Sequence, residues 1–391
     1  MKSNGIYEGD ALEILETWPD DFIDTIITSP PYWGLRDYGI EGQIGLEETL
    51  EEYLDKLLAV TEQLQRVLKP TGVMFWNHGD CYGGSCSWGG QSGLDPKYGD
   101  KRKVHPPGYH QRRSTPKCLV MQNYRLVLRM MDEQGWILRN TIVWHKPNAM
   151  PSSIKDRFGV SHEPIFMLVK EQKYWFDQDA IREPYDKPLD RWGGKKLKAK
   201  GKDNWGKGTG QKIYRKREMR PDKRGRNPRD VWKIPTRPKP FKGIHFAVFP
   251  EKLVEPMIKA TCPEWICKKC GKARVRITKG KSTAAFNVGA RDTKKGRFKE
   301  KWGKTQRTRP HYENYKGDKE FAGEGIKTVG WSDCGCNAGW RPGIVFDPFM
   351  GSGTVAVVAN QLRRDWLGVE LSPKFVKLIE KRVRNNPKPM V

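Results

Sequence analysis

The 391-residue chain has no apolar run near the ~20 residues that a membrane-spanning helix requires. Its first residues, "MKSNGIYEGD", lack the hydrophobic segment of a secretory signal. Eight cysteines, most of them bunched beside one basic stretch, do not form the even framework of a disulfide-built secreted domain. The expected setting is cytoplasmic, with no membrane partner. Acidic residues are scarce in two places. Arg191 to Lys242 holds 20 lysines and arginines against 4 acidic residues, and Lys268 to Lys316 holds 17 against 3. These segments account for the formal charge of +26, and the rest of the chain is close to neutral. A near-neutral scaffold with two strongly basic insertions fits a polyanionic partner, with nucleic acid as the expectation.

What is present reads as alternating strands and helices. "DFIDTIIT" has the continuous apolar and β-branched character of a buried strand. "LEETLEEYLDKLLAVTEQLQRVLKP" places Leu50, Tyr53, Leu54, Leu57, Leu58 and Leu64 near a 3.6-residue period, with Pro70-Thr71-Gly72 as its stop signal. "GVMFWN", "WILRNTIVWHK" and "EPIFMLVK" follow as strands around a second helical pattern. After a basic, Gly/Pro-rich stretch with isolated tryptophans (Trp192, Trp205, Trp232), "FPEKLVEPMIKATC" reads as a helix. The chain ends strand–helix–strand–helix through "GIVFDPF", "GTVAVVANQLR", "DWLGVEL" and "SPKFVKLIEKRV". The expected fold is α/β, a mostly parallel twisted sheet with helices on both faces. Five segments are expected: a first α/β half (1–184), a basic insertion (185–242), a short helical segment (243–262), a basic Cys-rich insertion (263–340) and a second α/β half (341–391).

Two strand-to-loop corners carry chemistry. "DTIITSPPYW" runs a buried strand into Ser29, Pro30, Pro31 and Tyr32. "VFDPFMGSGT" ends a strand at Asp347 and opens a helix after Gly351 and Gly353. Glycines there let a ligand approach the backbone and the free N–H groups of the helix start. This loop has no Lys-Ser/Thr pair, which argues against an NTPase phosphate loop. Glu370 ends the next strand, 23 residues after Asp347, where an acidic side chain commonly accepts ribose hydroxyls. A nucleoside-containing cofactor at the carboxyl edge of the sheet is the expectation.

"TSPPYW" with "DPFMGSGT" resembles the amino-group DNA methyltransferases that use S-adenosylmethionine. The order, with the Ser-Pro-Pro-Tyr corner first, is similar to the permuted β group of that family and implies a circularly permuted Rossmann-like methyltransferase fold. The resemblance implies cofactor contacts from Asp347, Phe349, Gly351, Gly353, Thr354 and Glu370, from Asp10 near the adenine, and from His245 and Phe246 in "HFAVFPEKL". It implies catalysis by Ser29, Pro30, Pro31 and Tyr32. Ser29 and the Pro30 carbonyl would take the hydrogens of an exocyclic amine, and Tyr32 would stack on an extruded base. No Pro-Cys dipeptide of the ring-carbon cytosine methylases occurs. Ser at the first corner position goes with cytosine N4 in the family; adenine N6 is the alternative, and RNA a third substrate. A companion restriction endonuclease is a further implication.

Cys267-x2-Cys270, followed by glycine, is a metal-knuckle pattern, and Cys334 and Cys336 are its expected partners in a structural zinc site, with Cys262 as a substitute ligand. A non-catalytic, zinc-containing DNA-binding regulator is the reading from a different class. Such a module has no need of Ser29, Tyr32, Asp347, Gly351 and Glu370 together.

Overall fold

The structure is a computed structural model that describes residues 3–35, 39–83, 115–184, 224–236, 249–280 and 326–389. The strands are β1 (Gly5–Glu8), β2 (Ile23–Thr28), β3 (Leu68–Asn77), β4 (Ile137–His145), β5 (His162–Val169), β6 (Val231–Lys233), β7 (Ile266–Cys267), β8 (Arg276–Gly280), β9 (Ile326–Trp331), β10 (Trp340–Arg341), β11 (Ile344–Asp347) and β12 (Asp365–Glu370). The helices are α1 (Ala11–Glu16), α2 (Leu50–Val67), α3 (Gln122–Gln134), α4 (Glu251–Thr261), α5 (Thr354–Gln361) and α6 (Pro373–Arg384).

Contacts divide the chain into two compact units. The first comprises Met1–Asp177, Arg229–Val275 and Asp333–Val391, and the second comprises Gln178–Pro228 and Arg276–Ser332. In the first, one eight-stranded sheet runs in the order β1–β12–β11–β2–β3–β5–β4–β6. The run from β1 to β3 is parallel, while β5 is antiparallel to both β3 and β4. The expected mostly parallel sheet is present. Alternation along the strands builds a core on each face. Ile26, Met74, Trp76 and Phe346 pack with α2 and α3, whereas Ile27, Val73, Phe75 and Val345 pack with α4 and α5.

All six apolar positions read as the face of α2 are buried. Thr49 and Glu52 form a capping box at its start. Its end differs from expectation. The helix stops at Val67, and Pro70-Thr71-Gly72 lies inside β3. Leu68 passes directly from helix into strand, and the β2–β3 register shifts between Ile23 and Thr25 to accommodate it. Trp232 is likewise no part of an insertion: β6 pairs with β4 in the sheet, Trp144 opposite Trp232. Trp192 and Trp205 lie outside the described residues.

In the second unit the two basic insertions expected as separate segments join. Asp179 accepts hydrogen bonds from Arg182 (2.5 Å) and Thr278 (3.1 Å) and pairs with Arg224, while β8 and β9 form an antiparallel ladder.

In the first unit, the centre of the parallel run is the switch point of the sheet. From β11 the chain moves outward to β12, and from β2 it moves the other way to β3. Open α/β sheets place ligand crevices at this position. Here Thr28, the last residue of β2, donates its hydroxyl to Asp347 Oδ1 at 2.7 Å, and the Phe349 N–H donates to the same oxygen at 3.0 Å. Both side chains are buried, and desolvation pushes the Asp347 carboxyl up to about 7. Because its folded pKa exceeds the unfolded one, this group's contribution to stability is full below pH ~4 and is lost as pH rises through about 7. Asp347→Asn keeps the accepting oxygen without the buried charge. The stability difference between that variant and the parent is therefore expected to move in favour of asparagine between pH 5 and pH 8, read by thermal unfolding; an identical difference at both values would contradict it. Thr28→Val leaves a buried acceptor short of its donor and is expected to cost about 1–3 kcal/mol in chemical denaturation.

Candidate active site

The residues that follow β2 and β11 line one cavity of about 600 Å³. Ser29, Pro30, Pro31 and Tyr32 contribute from the first strand; Pro348 to Ser352 contribute from the second. The Ser-Pro-Pro-Tyr corner is held rigidly. Proline fixes φ at two successive residues. The Tyr53 hydroxyl from α2 donates to the Pro31 carbonyl at 2.8 Å and lies 3.0 Å from His78 Nε2. Trp33, fully buried, donates its indole N–H to the Glu47 carbonyl at 3.0 Å. The Pro31 carbonyl is thus engaged by the scaffold, whereas the Pro30 carbonyl accepts no hydrogen bond from the described residues.

The Tyr32 hydroxyl sits between Ser29 Oγ at 3.4 Å and Glu163 Oε2 at 3.5 Å. Burial, and then the Glu163 charge, raise its phenol above the usual value, so it stays neutral. Its ring packs beside the buried His78 ring, centroids 5.3 Å apart. A side chain at Gly79 would meet Tyr32 Cε2 at 2.6 Å, so only glycine lets that ring lie where it does. Burial pushes His78 down to about 3, which leaves its imidazole uncharged at neutral pH.

Three further lining residues were not singled out in the sequence. Lys146 forms an ion pair with Glu163, and its ammonium lies 4.3 Å from the Trp144 ring centroid. Asn77, which ends β3, approaches Glu163 Oε2 at 3.5 Å. The antiparallel β4–β5 ladder pairs Trp144 with Glu163 and His145 with His162, which leaves Lys146 and Glu163 as diagonal neighbours two residues apart in register.

On the other side of the switch point, Glu370 organises the glycine loop. Its Oε2 accepts from Gly351 N at 2.7 Å and its Oε1 from Ser372 N at 2.9 Å. Burial pushes this carboxyl up to about 6. Each oxygen keeps a further lone pair for a hydroxyl donor. Gly351 adopts φ of 54°, and a Cβ there would touch only the Phe349 carbonyl oxygen, at an ordinary contact distance of 3.8 Å. Asp10 also lines the cavity; its Oδ1 caps α1 through Leu12 N (2.8 Å) and Glu13 N (3.2 Å).

All four residues expected to be catalytic line the cavity, as do Asp10, Phe349, Gly351, Thr354 and Glu370. Asp347 and Gly353 do not. Asp347 is turned into the Thr28 hydrogen bond, and Gly353 (φ 76°) would bring a Cβ to 3.0 Å from Ile379, so it serves the packing of α5 on α6. His245 and Phe246 lie outside the described residues. Phe249, later in the same segment, lines the cavity.

The Sγ atoms of Cys267, Cys270, Cys334 and Cys336 lie within 4.8 Å of one another. Zinc–thiolate bonds of about 2.3 Å imply tetrahedral S–S edges of about 3.8 Å, so this set has suitable donors and size. β7 pairs with β10 behind it, and Gly271 and Gly335 each turn with positive φ. Backbone N–H groups of Cys270 and Lys269 hold the Cys267 thiol down to about 6. Cys262 is no substitute ligand: it is buried in the core, and desolvation pushes its thiol up to about 12. All four clustered cysteines belong to the first unit, at the two points where its chain leaves for and returns from 276–332.

The N6_N4_Mtase family, DNA methylase, matches residues 23–272 and 341–381. The chain is 31% identical over 386 residues to the Type II methyltransferase M.XycI of Xanthomonas campestris pv. cyanopsidis, covering 98% of this chain and 89% of that protein. It is 32% identical to the Type II methyltransferase M.Cfr9I of Citrobacter freundii, with the same coverage. Among solved structures, the PvuII DNA methyltransferase (cytosine-N4-specific) shares the fold, with a TM-score of 0.52 at 18% identity, covering 98% of this chain and 86% of that one. No helix among the described residues is long and apolar enough to cross a membrane. With a Ser-Pro-Pro-Tyr corner and a glycine loop facing one cavity, and with the family match spanning most of its length, the chain belongs to the N6/N4 family of DNA methylases.

Proposed function

We propose that the protein transfers a methyl group from S-adenosylmethionine to the N4 amine of a cytosine extruded from double-stranded DNA. The observation that carries this reading is the single cavity shared by the Ser29–Tyr32 corner and the Gly351–Glu370 loop, joined behind it by Thr28 and Asp347. The fit to the cofactor rests on Glu370, whose oxygens retain accepting capacity, on the open approach at Gly351, and on Phe349 and Phe375 as apolar lining. When bound there, S-adenosylmethionine supplies an electrophilic sulfonium methyl.

An exocyclic amine is a weak nucleophile because its lone pair is delocalised into the ring. Ser29 Oγ and the Pro30 carbonyl, as acceptors for its two hydrogens, favour a pyramidal nitrogen whose lone pair is localised. Both acceptors are fixed before substrate arrives, so little reorganisation accompanies reaction. Tyr32 provides a neutral aromatic face for the base, and positioning supplies much of the rate. Ser29 favours cytosine over adenine as the target. The chain order supports a permuted member of the family, since the strand bearing the glycine loop is next to last in sequence and central in the sheet. The Type II names of the relatives support a companion restriction endonuclease. The four-cysteine cluster supports one structural zinc ion, held by Cys267, Cys270, Cys334 and Cys336.

Mass spectrometry of nucleosides from DNA incubated with protein and cofactor should reveal N4-methylcytosine. N6-methyladenine would refute the base assignment, and 5-methylcytosine the mechanism. Ser29→Ala should lower the chemical step while cofactor and DNA affinity stay nearly unchanged. Glu370→Ala should weaken cofactor binding by about 1–3 kcal/mol in calorimetry, with Glu370→Gln intermediate because it keeps an acceptor for the loop amides; unchanged affinity in both would remove Glu370 from the site. Elemental analysis of protein purified without chelator should find about one zinc per chain. Cys270→Ser should reduce that content and lower thermal stability, leaving cofactor affinity largely intact.

A further inference from the structure

β4 is parallel to β3, since both are antiparallel to β5, so the loop 147–161 joining β4 to β5 emerges at the cavity edge of the sheet. Its two feet, Lys146 and Glu163, line the cavity and pair with each other. The loop is well anchored. Lys146 N donates to the Ser161 carbonyl at 2.7 Å. Asn148 exchanges hydrogen bonds with the Thr236 backbone, both at 2.9 Å. The Arg157 guanidinium lies 3.8 Å over the Tyr82 ring, and Asp156 pairs with Lys117 at 2.7 Å.

Despite these anchors, the loop turns its apolar side chains outward. Phe158 is 96% exposed and Met150 90%, and Ile154 and Val160 are also exposed. Neighbouring Lys155, Arg157 and Lys117 outnumber Asp156, so the apolar tip stands in a basic surround. A fixed, apolar, basic-rimmed projection beside a reactive cavity marks a surface with a partner. The charge favours a polyanion over a protein.

Resting on the reading that the substrate is a base drawn out of duplex DNA, we infer that 147–161 is the element that enters the base stack, with Phe158 as its wedge. Extrusion of one base removes stacking from both of its neighbours. A flat aromatic side chain restores two stacking faces, and proteins that distort DNA commonly insert apolar wedges between base steps. Lys155 and Arg157 flank Phe158 as phosphate contacts. Phe158 stabilises the open duplex and takes no part in methyl transfer.

The test compares the parent, Phe158→Ala and Phe158→Trp on two short duplexes carrying the site at which the parent deposits its methyl group. One is fully paired; the other has an abasic residue opposite the target base, which removes the need for a wedge. Phe158→Ala should be slower by roughly tenfold to a hundredfold on the paired duplex, on the scale of one lost base–aromatic stack. On the abasic duplex it should approach the parent rate, and Phe158→Trp should approach it on both. The same Ala variant should lose the fluorescence rise of 2-aminopurine placed at the target position. Equal losses on both duplexes, or no loss on the paired one, would overturn the wedge. A parent that deposits no methyl group on any duplex DNA would instead remove the DNA reading on which it rests. Thermal unfolding of the Ala variant should match the parent, because the side chain is almost wholly in solvent.

Discussion

The hydrogen bond from Thr28 to Asp347 is the contact on which the site depends. It joins the last residues of two adjacent parallel strands at the point where the sheet reverses its direction of growth. One residue further along each strand the chain becomes a loop: Ser29 and the two prolines on one side, Pro348 and the glycine loop on the other. A 2.7 Å bond between buried groups therefore fixes the origin of both loops. Asp347 also accepts from Phe349 N, so the same carboxyl sets the first turn of the glycine loop. Glu370 continues the chain of constraint from β12 through Gly351 N. The lining residues can be small, polar or aromatic as chemistry requires because the residues behind them carry the geometry.

The electrostatics follow one rule, in which the groups lining the Ser29 side of the cavity and those behind it are kept neutral or paired. His78 is buried and uncharged, and Tyr32 stays protonated. Glu163 is compensated by Lys146. Neutral acceptors suit a substrate that is itself neutral, since a fully charged neighbour would orient competing water and shift during reaction. Two acidic groups whose pKa burial raises, Asp347 and Glu370, both accept backbone N–H donors of the glycine loop.

Local pattern carried a good part of this into the sequence. The apolar spacing of α2 gave its buried face, and the two corner motifs gave most of the cavity lining. The knuckle pair at Cys267 and Cys270 led to its partners across the long basic insertion. What stayed hidden depends on long-range pairing. Pro70-Thr71-Gly72 reads as a helix stop, but β2 draws those residues into a strand. Lys146 and Glu163 are unremarkable until the β4–β5 ladder sets them side by side. The family resemblance implied a cofactor contact from Asp347; the neighbouring strand's Thr28 engages its carboxyl behind the cavity instead. Trp232 sat in a basic stretch whose composition masked a three-residue edge strand. Cys262 has the spacing of a ligand and the burial of a core residue.

The cysteine cluster bears on how a sheet of this kind tolerates a long basic excursion. The chain leaves the first unit after Val275 and re-enters it at Asp333. An open excursion of that length adds configurational freedom to the unfolded chain and leaves its two ends free to separate in the folded one. The entropy of closing it grows only logarithmically with length, so most of that cost would persist for a shorter insertion. What matters is a firm closure at the base. At that base the β8–β9 ladder supplies five residue pairs and the β7–β10 ladder two. Four thiols gathered within 4.8 Å add a further closure at the same place. A metal bridging them would couple both ends of the insertion to α4, which packs on the catalytic sheet, and to β11, one of its strands. The basic segment could then vary in length and sequence without disturbing the Thr28–Asp347 contact that holds the chemistry in place.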